Sequence, residues 1–406
     1  MHAAQEKEWI VIRGWGSLSG LGSTPAEIKA SYATGRTTFT TLPHLGQGTP
    51  VSPLSASGET ALQTLVQEEP VYSSLDRSVL MAILAARQAV AQAGWADSPD
   101  VPIGVNIGSS RGATGLFEQY HEEFLQNPGQ RLSPSASPST TLGNVASWVA
   151  NDINASGPVL SHSVTCSTAL QAFANGVAWL KAGMAKRFLV GGTEAPLTPF
   201  TLAQLKAIGI YTKFSAHENP CRPLNPEGHN TFTLGEGAAV FALERMTEKE
   251  MQALPQNQFF TVAAVGMGFE RSPSKTGISS DGHHFQKALR DALKQAQLSP
   301  DQISYLILHA PGTRAGDAAE LAAIRSVFGT ELPNLYSNKS QIGHTLGASG
   351  GLSTAYFLDH LSHQPTSPSL LKNNFLSNSL HLNNAIISSA GFGGNASSLL
   401  IQKITI

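Results

Sequence analysis

The sequence predicts an α/β protein in which helices cover a mostly parallel sheet. Short apolar runs alternate with longer helical patterns, and glycine often follows both. The strand-like runs are VPIGVNIG (101–108), FLVGGTEA (188–195), GAAVFALE (237–244) and ISYLILHA (303–310). Nearly continuous apolar runs of this length are typical of strands buried on both faces. Their alternation with helices indicates the α/β class.

Helical periodicity lies between these runs. Residues 77–93 predict a helix that Gly94 ends, and residues 284–297 predict an amphipathic helix. Residues 116–126 and 318–329 predict two more. The Ser/Pro-rich residues 131–144 predict a loop that leads into a helix.

The chain has 406 residues, enough for two domains or for one large fold with two cores. The polar stretch 248–258, with Pro255, is the predicted boundary. Residues 1–250 and 251–406 each alternate strands with helices and end near a glycine-rich strand turn. We therefore predict two similar halves packed back to back.

Composition restricts the function. A net charge of −2 argues against general nucleic-acid binding, and no apolar run reaches the ~18 residues of a membrane helix. The first residues are charged before a short apolar run, unlike a signal peptide. With only two cysteines, Cys166 and Cys221, these features predict a cytoplasmic protein without a disulfide.

The first cysteine begins an apolar segment, VTCSTALQAFANGVAWLKAG (164–183). Apolar residues on all sides predict a buried helix, which Gly183 would end. This places Cys166 in the first helical turn, where unpaired backbone N–H groups and the helix dipole favour a thiolate. The alternative is a small, unreactive core residue, and from this stretch alone that alternative is favoured.

The segment GSSRG (108–112) fits the G-x-S-x-G pattern of a hydrolase, with a strand before it and a helix after it. Ser110 is therefore a candidate nucleophile. A chain with 38 glycines matches so short a pattern by chance, and a tight turn between sheet and helix explains it equally well.

Two further segments carry candidate chemistry. His309 ends a predicted strand in LHAPGTRAGDAAE (308–320), a position suited to acid–base catalysis or to a structural hydrogen bond. Lys339 and His344 precede a glycine run in SNKSQIGHTLGASGG (337–351). That run resembles a phosphate-binding loop but lacks the Lys-Ser/Thr of a P-loop.

Taken in order, Cys166, His309, Lys339 and His344 closely resemble the elongating β-ketoacyl-acyl carrier protein synthases. The resemblance covers nearly the whole chain. It includes GGTEA (191–195), CRPLN…LGEGAAVFALE (221–244) and SSAGFGGNASSLLI (388–401). The initiating relatives use Cys-His-Asn, and degradative thiolases need a second cysteine near the C-terminus. Neither pattern fits His344 or the mid-chain Cys221.

The resemblance implies a duplicated, five-layer αβαβα thiolase-like fold. It implies that Cys166 takes an acyl group from a carrier-protein pantetheine, and that His309 and His344 assist decarboxylation of malonyl-carrier protein. Lys339 would orient the histidines. The amides of Cys166 and Phe392 would form the oxyanion hole, and Phe392 would gate the acyl pocket.

By the same resemblance, further residues contact the substrate: Thr313, Arg111, Gly391 and Gly393. No metal and no bound cofactor are implied, because phosphopantetheine arrives on the carrier protein. The partners are that carrier protein and a second chain, which is either a copy or a related ketosynthase-like subunit.

The chain departs from the family pattern at several positions. Pro311 replaces a threonine that helps to hold pantetheine, and Ser353 replaces an acidic residue close to the lysine. Asp317 or Glu320 would then balance Lys339. Arg111 replaces an aliphatic pocket residue, and we expect it to form a structural ion pair or to face a polar chain end.

These departures predict a specialised synthase of a type II polyketide or polyene pathway. They also keep a second interpretation open, a non-elongating partner subunit that sets chain length. A serine hydrolase using Ser110 is the third. Candidate carrier-docking cations are Arg131, Lys206, Lys213 and Arg271.

Overall fold

The computed structural model describes residues 6–98, 100–271, 277–363, 369–370 and 383–406. The helices are α1 (Pro25–Ala33), α2 (Ala56–Glu68), α3 (Arg77–Ala93), α4 (Thr114–Gln126), α5 (Ala136–Thr140), α6 (Asn144–Asp152), α7 (Thr168–Lys181), α8 (Pro199–Ala207), α9 (Glu248–Gln252), α10 (His283–Ala296), α11 (Arg314–Phe328), α12 (Lys339–Ile342) and α13 (Ser349–Tyr356). The strands are β1 (Glu8–Leu18), β2 (Thr40–His44), β3 (Gln47–Ser52), β4 (Ile103–Gly108), β5 (Val159–Leu160), β6 (Arg187–Glu194), β7 (Leu234–Gly235), β8 (Gly237–Thr247), β9 (Gln258–Phe269), β10 (Tyr305–Ile307), β11 (Asn334–Tyr336), β12 (Asn384–Gly391) and β13 (Asn395–Thr405).

Two equivalent five-stranded sheets make up the framework. The first has the order β5-β4-β6-β8-β1 and the second the order β11-β10-β12-β13-β9. In each, two parallel pairs are followed by two antiparallel pairs. The sheets meet where Val11 and Ile12 of β1 pair with Thr261 and Phe260 of β9. The repeated pairing pattern reveals a duplicated unit.

The prediction of a mostly parallel sheet was wrong, because the sheet is mixed. β12 and β13 form an antiparallel hairpin in which Gly391 pairs with Asn395. So short a connection can join only antiparallel neighbours, whereas a parallel pair needs a longer crossover. The predicted runs 188–195 and 237–244 are both largely apolar although their strands pair antiparallel, so the sequence pattern alone did not indicate strand direction.

Five layers follow from the packing of the helices. α7 and α13 lie between the two sheets, in a core that includes Leu170, Phe173 and Leu352. α3 and α6 cover the outer face of the first sheet, and α10 and α11 cover that of the second. A Cβ on Gly350 would lie 2.7 Å from Leu170 Cγ, so glycine permits the close contact of the two central helices. The predicted duplicated αβαβα fold is confirmed.

The predicted helices are present at nearly the expected bounds. α3 begins after Asp76, whose carboxylate accepts the Ser78 amide at 2.8 Å, and ends at Gly94 in the left-handed region. The predicted loop 131–144 includes the short helix α5 and leads into α6. No helix among the described residues is long and apolar enough to cross a membrane.

Candidate active site

Cys166 lies in a tight turn before the central helix α7. The helix begins at Thr168, so the prediction that Cys166 occupies its first turn was wrong. Thr165 adopts φ +50°, and the Thr168 hydroxyl accepts the Val164 amide at 2.9 Å. The Ser389 hydroxyl donates to the Cys166 carbonyl at 2.7 Å. Hydrogen bonds from both halves therefore fix the cysteine backbone.

Burial opposes the thiolate-favouring environment that the sequence predicts for Cys166. Burial raises the pKa of Cys166 to about 12, the Glu194 carboxylate raises it further, and the charge of Lys339 opposes them only in part. The cause is desolvation, which disfavours the charged form of a buried group. Burial thus favours the thiol form of Cys166, although the residue is only half-buried by its exposed surface. Cys221 is a second, separate free thiol.

The two histidines meet at the end of the second sheet. The ring centroids of His309 and His344 are 5.1 Å apart, with the planes at 82°. His309 follows β10, and its amide donates to Glu320 Oε1 at 2.8 Å. The Ala310 amide donates to the other Glu320 oxygen at 2.7 Å. A buried carboxylate thus fixes the backbone of His309.

His344 is held by the segment that precedes β8. Its amide donates to the Thr233 carbonyl at 2.7 Å, and its carbonyl accepts the Gly235 amide at 3.1 Å. The Phe232 ring packs edge-on against the imidazole at 5.4 Å. Phe232 is not among the predicted site residues, because nothing in the local sequence distinguishes it from an ordinary core aromatic.

Electrostatics keep both imidazoles neutral. Burial lowers the pKa of His309 and of His344 well below the usual range, and the Lys339 charge adds to the effect. Both Nδ1 atoms are buried, and neither has a hydrogen-bond partner among the residues the structure describes. Each imidazole therefore keeps a ring nitrogen that is not used by hydrogen bonds within the described protein.

Lys339 is buried next to the segment that carries His309. Its Nζ donates to the Leu308 carbonyl at 3.2 Å, and only 1% of the residue is exposed. Burial lowers the pKa of Lys339, whereas the charge of Glu320 is the largest influence that raises it, ahead of Asp317. No carboxylate of the described residues forms an ion pair with Lys339, and of the two acids expected to balance it Glu320 has the larger electrostatic influence. Ser353, which has replaced the family's acid, donates to Asn338 Oδ1 at 3.2 Å.

The turn 391–395, here called the Phe392 turn, lies against the cysteine. A Cβ on Gly391 would overlap Thr165 Oγ1 and lie 3.0 Å from the Cys166 nitrogen. The Thr165 hydroxyl donates to the Phe392 carbonyl at 3.4 Å. Phe392 is 39% exposed, and Gly393 has φ +92°. Gly391 is thus required for close approach, which is a structural reason independent of substrate.

One apolar cluster extends from Cys166 to His344. Cys166 packs against it, and its buried members are Val51, Leu202, Leu205, Tyr211, Phe232, Leu234 and Leu346. Because Phe232 also contacts His344, the cysteine and the imidazole border the same apolar region. The fold thereby brings Cys166, His309, His344 and Lys339 into one site.

Ser110 and Arg111 belong to a buried clamp. The hydroxyls of Ser109 and Ser110 both donate to the Glu194 carboxylate, which also accepts the Arg111 amide at 3.2 Å. Ser110 thus bonds to an acid rather than to a histidine base, unlike the serine of a hydrolase. The Arg111 guanidinium donates to Gln204 Oε1, and no carboxylate of the described residues forms an ion pair with it. The expected structural ion pair is absent there.

Thr313 immediately precedes helix α11 and is half-buried. Its amide donates to Asp317 Oδ1 at 3.1 Å, and the other Asp317 oxygen accepts the Leu224 amide at 2.8 Å.

The described residues contain no group of three His, Cys, Asp or Glu side chains arranged to hold a metal ion.

Comparison with known proteins agrees with this geometry. Residues 7–249 match the family "Beta-ketoacyl synthase, N-terminal domain", and residues 259–372 match "Beta-ketoacyl synthase, C-terminal domain". A 3-oxoacyl-[acyl-carrier-protein] synthase 2 of Staphylococcus aureus is 30% identical over 70% of this chain and 70% of its own length. The enzyme of the same name from Coxiella burnetii is 25% identical over 98% of this chain and 99% of its own.

Solved structures share the fold. A beta-ketoacyl synthase from Burkholderia phymatum superposes with a TM-score of 0.83 at 22% identity, covering 98% of this chain and 100% of its own. A chain from the complex of a type II PKS acyl-carrier protein with its ketosynthase superposes with a TM-score of 0.83 at 20% identity. The match covers 98% of this chain and 100% of that chain. Profile, sequence and fold agree: the chain belongs to the beta-ketoacyl synthase family and is an acyl-transferring condensing enzyme.

Proposed function

We propose that this protein is an elongating ketosynthase that condenses malonyl-carrier protein with an acyl chain held on Cys166. The observation that carries the proposal is the pair of neutral, adjacent imidazoles, His309 and His344, beside the apolar cluster that contacts the cysteine. Neutral imidazoles can donate hydrogen bonds to an oxyanion, which is the chemistry a decarboxylating condensation needs.

In the loading step, Cys166 Sγ attacks the acyl thioester of the carrier's pantetheine arm. The new C–S bond forms, the pantetheine C–S bond breaks, and the thiol proton passes to the leaving sulfur. Because Cys166 rests as a thiol, the proton must move during the attack, and a neutral imidazole of the site is the proposed relay. The Cys166 and Phe392 amides are the proposed oxyanion donors.

In the condensing step, the malonyl thioester loses CO2 and its electrons form an enolate. His309 and His344 donate hydrogen bonds to the enolate oxygen, and the enolate carbon attacks the Cys166 thioester. The new C–C bond forms as the Cys166 C–S bond breaks. The product is a β-ketoacyl thioester on the carrier protein, and the released Cys166 thiolate takes up one proton from solvent to restore the thiol. Lys339 favours this step because its buried positive charge stabilises the developing negative charge.

The carrier protein supplies phosphopantetheine, and we propose no bound cofactor. Thr313, Arg111, Gly391 and Gly393 remain the proposed substrate contacts. Arg131, Lys213 and Arg271 are exposed and available for an acidic carrier protein. Lys206 is less suitable, because it is half-buried and its ammonium donates to Thr49.

A second chain is proposed to cover one face of the first half. Strand β5 is at the edge of the sheet, and its residues Val159 and Leu160 are exposed. Helix α4 exposes Phe117, Phe124 and Leu125. An exposed edge strand with an apolar helix face is typical of an interface. The partner is a copy of this chain or a related ketosynthase-like chain.

The pathway remains a proposal: type II polyketide or polyene synthesis rather than housekeeping fatty-acid synthesis, in the cytoplasm. It is supported by Arg111, which stands where the family often has an aliphatic residue. The Arg111 guanidinium donates to the neutral Gln204 side chain, so this position is polar. Equal turnover of saturated and polyunsaturated acyl-carrier substrates would contradict this specialisation.

The test of function is a single-turnover assay with acyl-carrier and malonyl-carrier proteins, read by mass spectrometry of the carrier. A β-ketoacyl product two carbons longer, with release of CO2, is expected. Acylated Cys166 without any elongated product, with or without a related partner chain, would favour the non-elongating partner subunit.

A further inference from the structure

A buried carboxylate–imidazole pair lies beside the site and has no role in the chemistry described above. Glu270 directly follows β9, and His284 is in the first turn of α10. They are 7% and 1% exposed, and His284 Nδ1 lies 3.2 Å from Glu270 Oε2. A pair so completely removed from water has a large effect on its surroundings, because the local dielectric is low.

Hydrogen bonds fix the carboxylate in place. It accepts the Ser279 hydroxyl at 2.7 Å, the Ser279 amide at 2.8 Å and the His284 amide at 3.2 Å. Burial acts to raise the pKa of Glu270, but these bonds and the charge of His284 hold it below its usual range. Glu270 is therefore an anion that ties the end of β9 to the start of α10.

The same residue holds the Phe392 turn through its backbone. The Glu270 amide donates to the Gly394 carbonyl at 2.9 Å. A Cβ on Gly394 would overlap the Glu270 carbonyl oxygen, so the two backbones are in direct contact. A displacement of the Glu270 backbone would therefore move the turn that lies against Cys166.

On its other side the pair approaches His309 through the neighbouring aromatic ring. Phe285, which follows His284, has its ring 6.3 Å from the His309 ring. A positive charge on His284 would lower the pKa of His309. The titratable groups around His284 are Glu270 from the end of β9, Asp281 and His283 from its own segment, and His309 from the end of β10.

We propose that Glu270 and His284 form a positioning pair for the condensing step, holding the Phe392 turn against Cys166 and the Phe285 ring against His309. The proposal rests on the function proposed above. Burial lowers the pKa of His284, so its imidazole gains a proton only as the pH falls, and the resulting cation then opposes protonation of His309. Neither residue touches substrate in this account, because both act through their neighbours.

The test compares His284→Gln and Glu270→Gln with His283→Gln, an exposed residue one position earlier on the same helix. Loading of Cys166 is measured by intact mass, and condensation by kcat and KM across pH. His309 is followed separately by NMR titration of ¹³C-labelled histidine, assigned with His309→Asn. This titration needs no turnover.

We expect His284→Gln to load normally but to condense about 10-fold more slowly, because a small misplacement of a reacting group has effects of this order or larger. Its acid limb and the His309 titration should both move to higher pH. Glu270→Gln should lower condensation in the same selective way, and His283→Gln should match the wild type.

The proposal is overturned if His284→Gln and Glu270→Gln both match His283→Gln, or if they lose loading and condensation equally together with thermal stability. Should His284→Gln not fold, Glu270→Gln decides by the same comparison. A wild type that neither loads nor condenses would refute the proposed function, while the NMR titration would still decide whether His284 controls His309.

Discussion

The two halves of the molecule share a framework but place different chemistry at equivalent positions. Cys166 lies in the turn before α7, and His344 lies in the segment before α13, the corresponding helix of the second half. The two helices pack together in the central layer, where Leu170 faces Gly350. Duplication therefore brings two helix-start turns to one place, so one can supply a nucleophile and the other an imidazole.

The loops after β4 and β10 are also equivalent in the two halves, and each is held by a buried carboxylate. Glu194 binds the Ser109 and Ser110 hydroxyls and also accepts the Gly347 amide at 3.1 Å, across the two halves. Glu320 binds the backbone at His309 and leaves the imidazole free. Both loops are fixed by a buried carboxylate, but that carboxylate binds the Ser110 hydroxyl in the first half and only backbone amides at His309 in the second.

The largest expected effect comes from the imidazoles of the second half. His309→Asn or His344→Asn should reduce condensation by about 10²- to 10⁴-fold, the usual contribution of a positioned acid–base group. Loading of Cys166 should persist if another group relays the proton. Elongated product and acylated enzyme are measured in one single-turnover experiment. Undiminished condensation in both variants would contradict the assignment.

Replacing Lys339 should give the next largest effect. Lys339→Met keeps the buried stem but removes the charge, so condensation should fall about 10- to 100-fold because the enolate loses electrostatic stabilisation. Burial lowers the pKa of Lys339, so the wild type should lose activity as the pH rises through that depressed value. The rate–pH profile of Lys339→Met should lack this alkaline limb; an unchanged limb would mean that another group titrates.

Gly391→Ala tests the contact between the halves. The added methyl overlaps Thr165 Oγ1, and overpacking of this kind costs about 1–3 kcal/mol. Thermal unfolding and the rate of Cys166 loading should both decrease. The double variant Thr165→Ala/Gly391→Ala removes the overlapping oxygen and should recover part of the loss. Additive losses in the double variant would show that this contact is not the cause.

The neutral histidines should also make stability depend on pH. Their pKa is depressed in the folded state, so between that value and about 6.5 the unfolded chain binds more protons. The free energy of unfolding should then fall as the pH falls, by up to about 1.4 kcal/mol per pH unit for each histidine. Denaturant unfolding of wild type and His309→Asn across pH should give a shallower slope for the variant. Equal slopes would argue against a neutral buried His309.

The smallest effect is expected at Ser110. Ser110→Ala removes one donor from Glu194 while the Ser109 hydroxyl and the Arg111 and Gly347 amides remain. Stability should fall by about 1–2 kcal/mol and condensation should be unchanged. The matched Ser109→Ala variant provides a reference for the loss of a clamp donor. Loss of all activity in Ser110→Ala alone would revive the hydrolase interpretation.

Local patterns predicted much of this molecule because local physics determined it. Asp76 and Gly94 mark the ends of α3 in the sequence, and both perform those roles in the structure. No side chain caps α7 at Ser167, so nothing local placed the helix start two residues after Cys166.

Other features depend on contacts between distant segments. In the sequence Glu194 is only the last residue of a predicted strand. Its hydrogen bonds to Ser110 and Gly347 exist because the fold brings these distant residues to it. The protonation of Cys166 follows from burial that no window of sequence contains. The direction of strand pairing likewise depended on which strands became neighbours.

Intact-mass spectrometry after incubation with acyl-carrier protein tests the central claim most directly, with Cys166→Ala beside the matched control Cys221→Ala. We predict one acyl group on the wild type and on Cys221→Ala, and none on Cys166→Ala. An adduct that persists in Cys166→Ala, or disappears only in Cys221→Ala, would contradict the assignment of the nucleophile and the division of chemistry between the two halves.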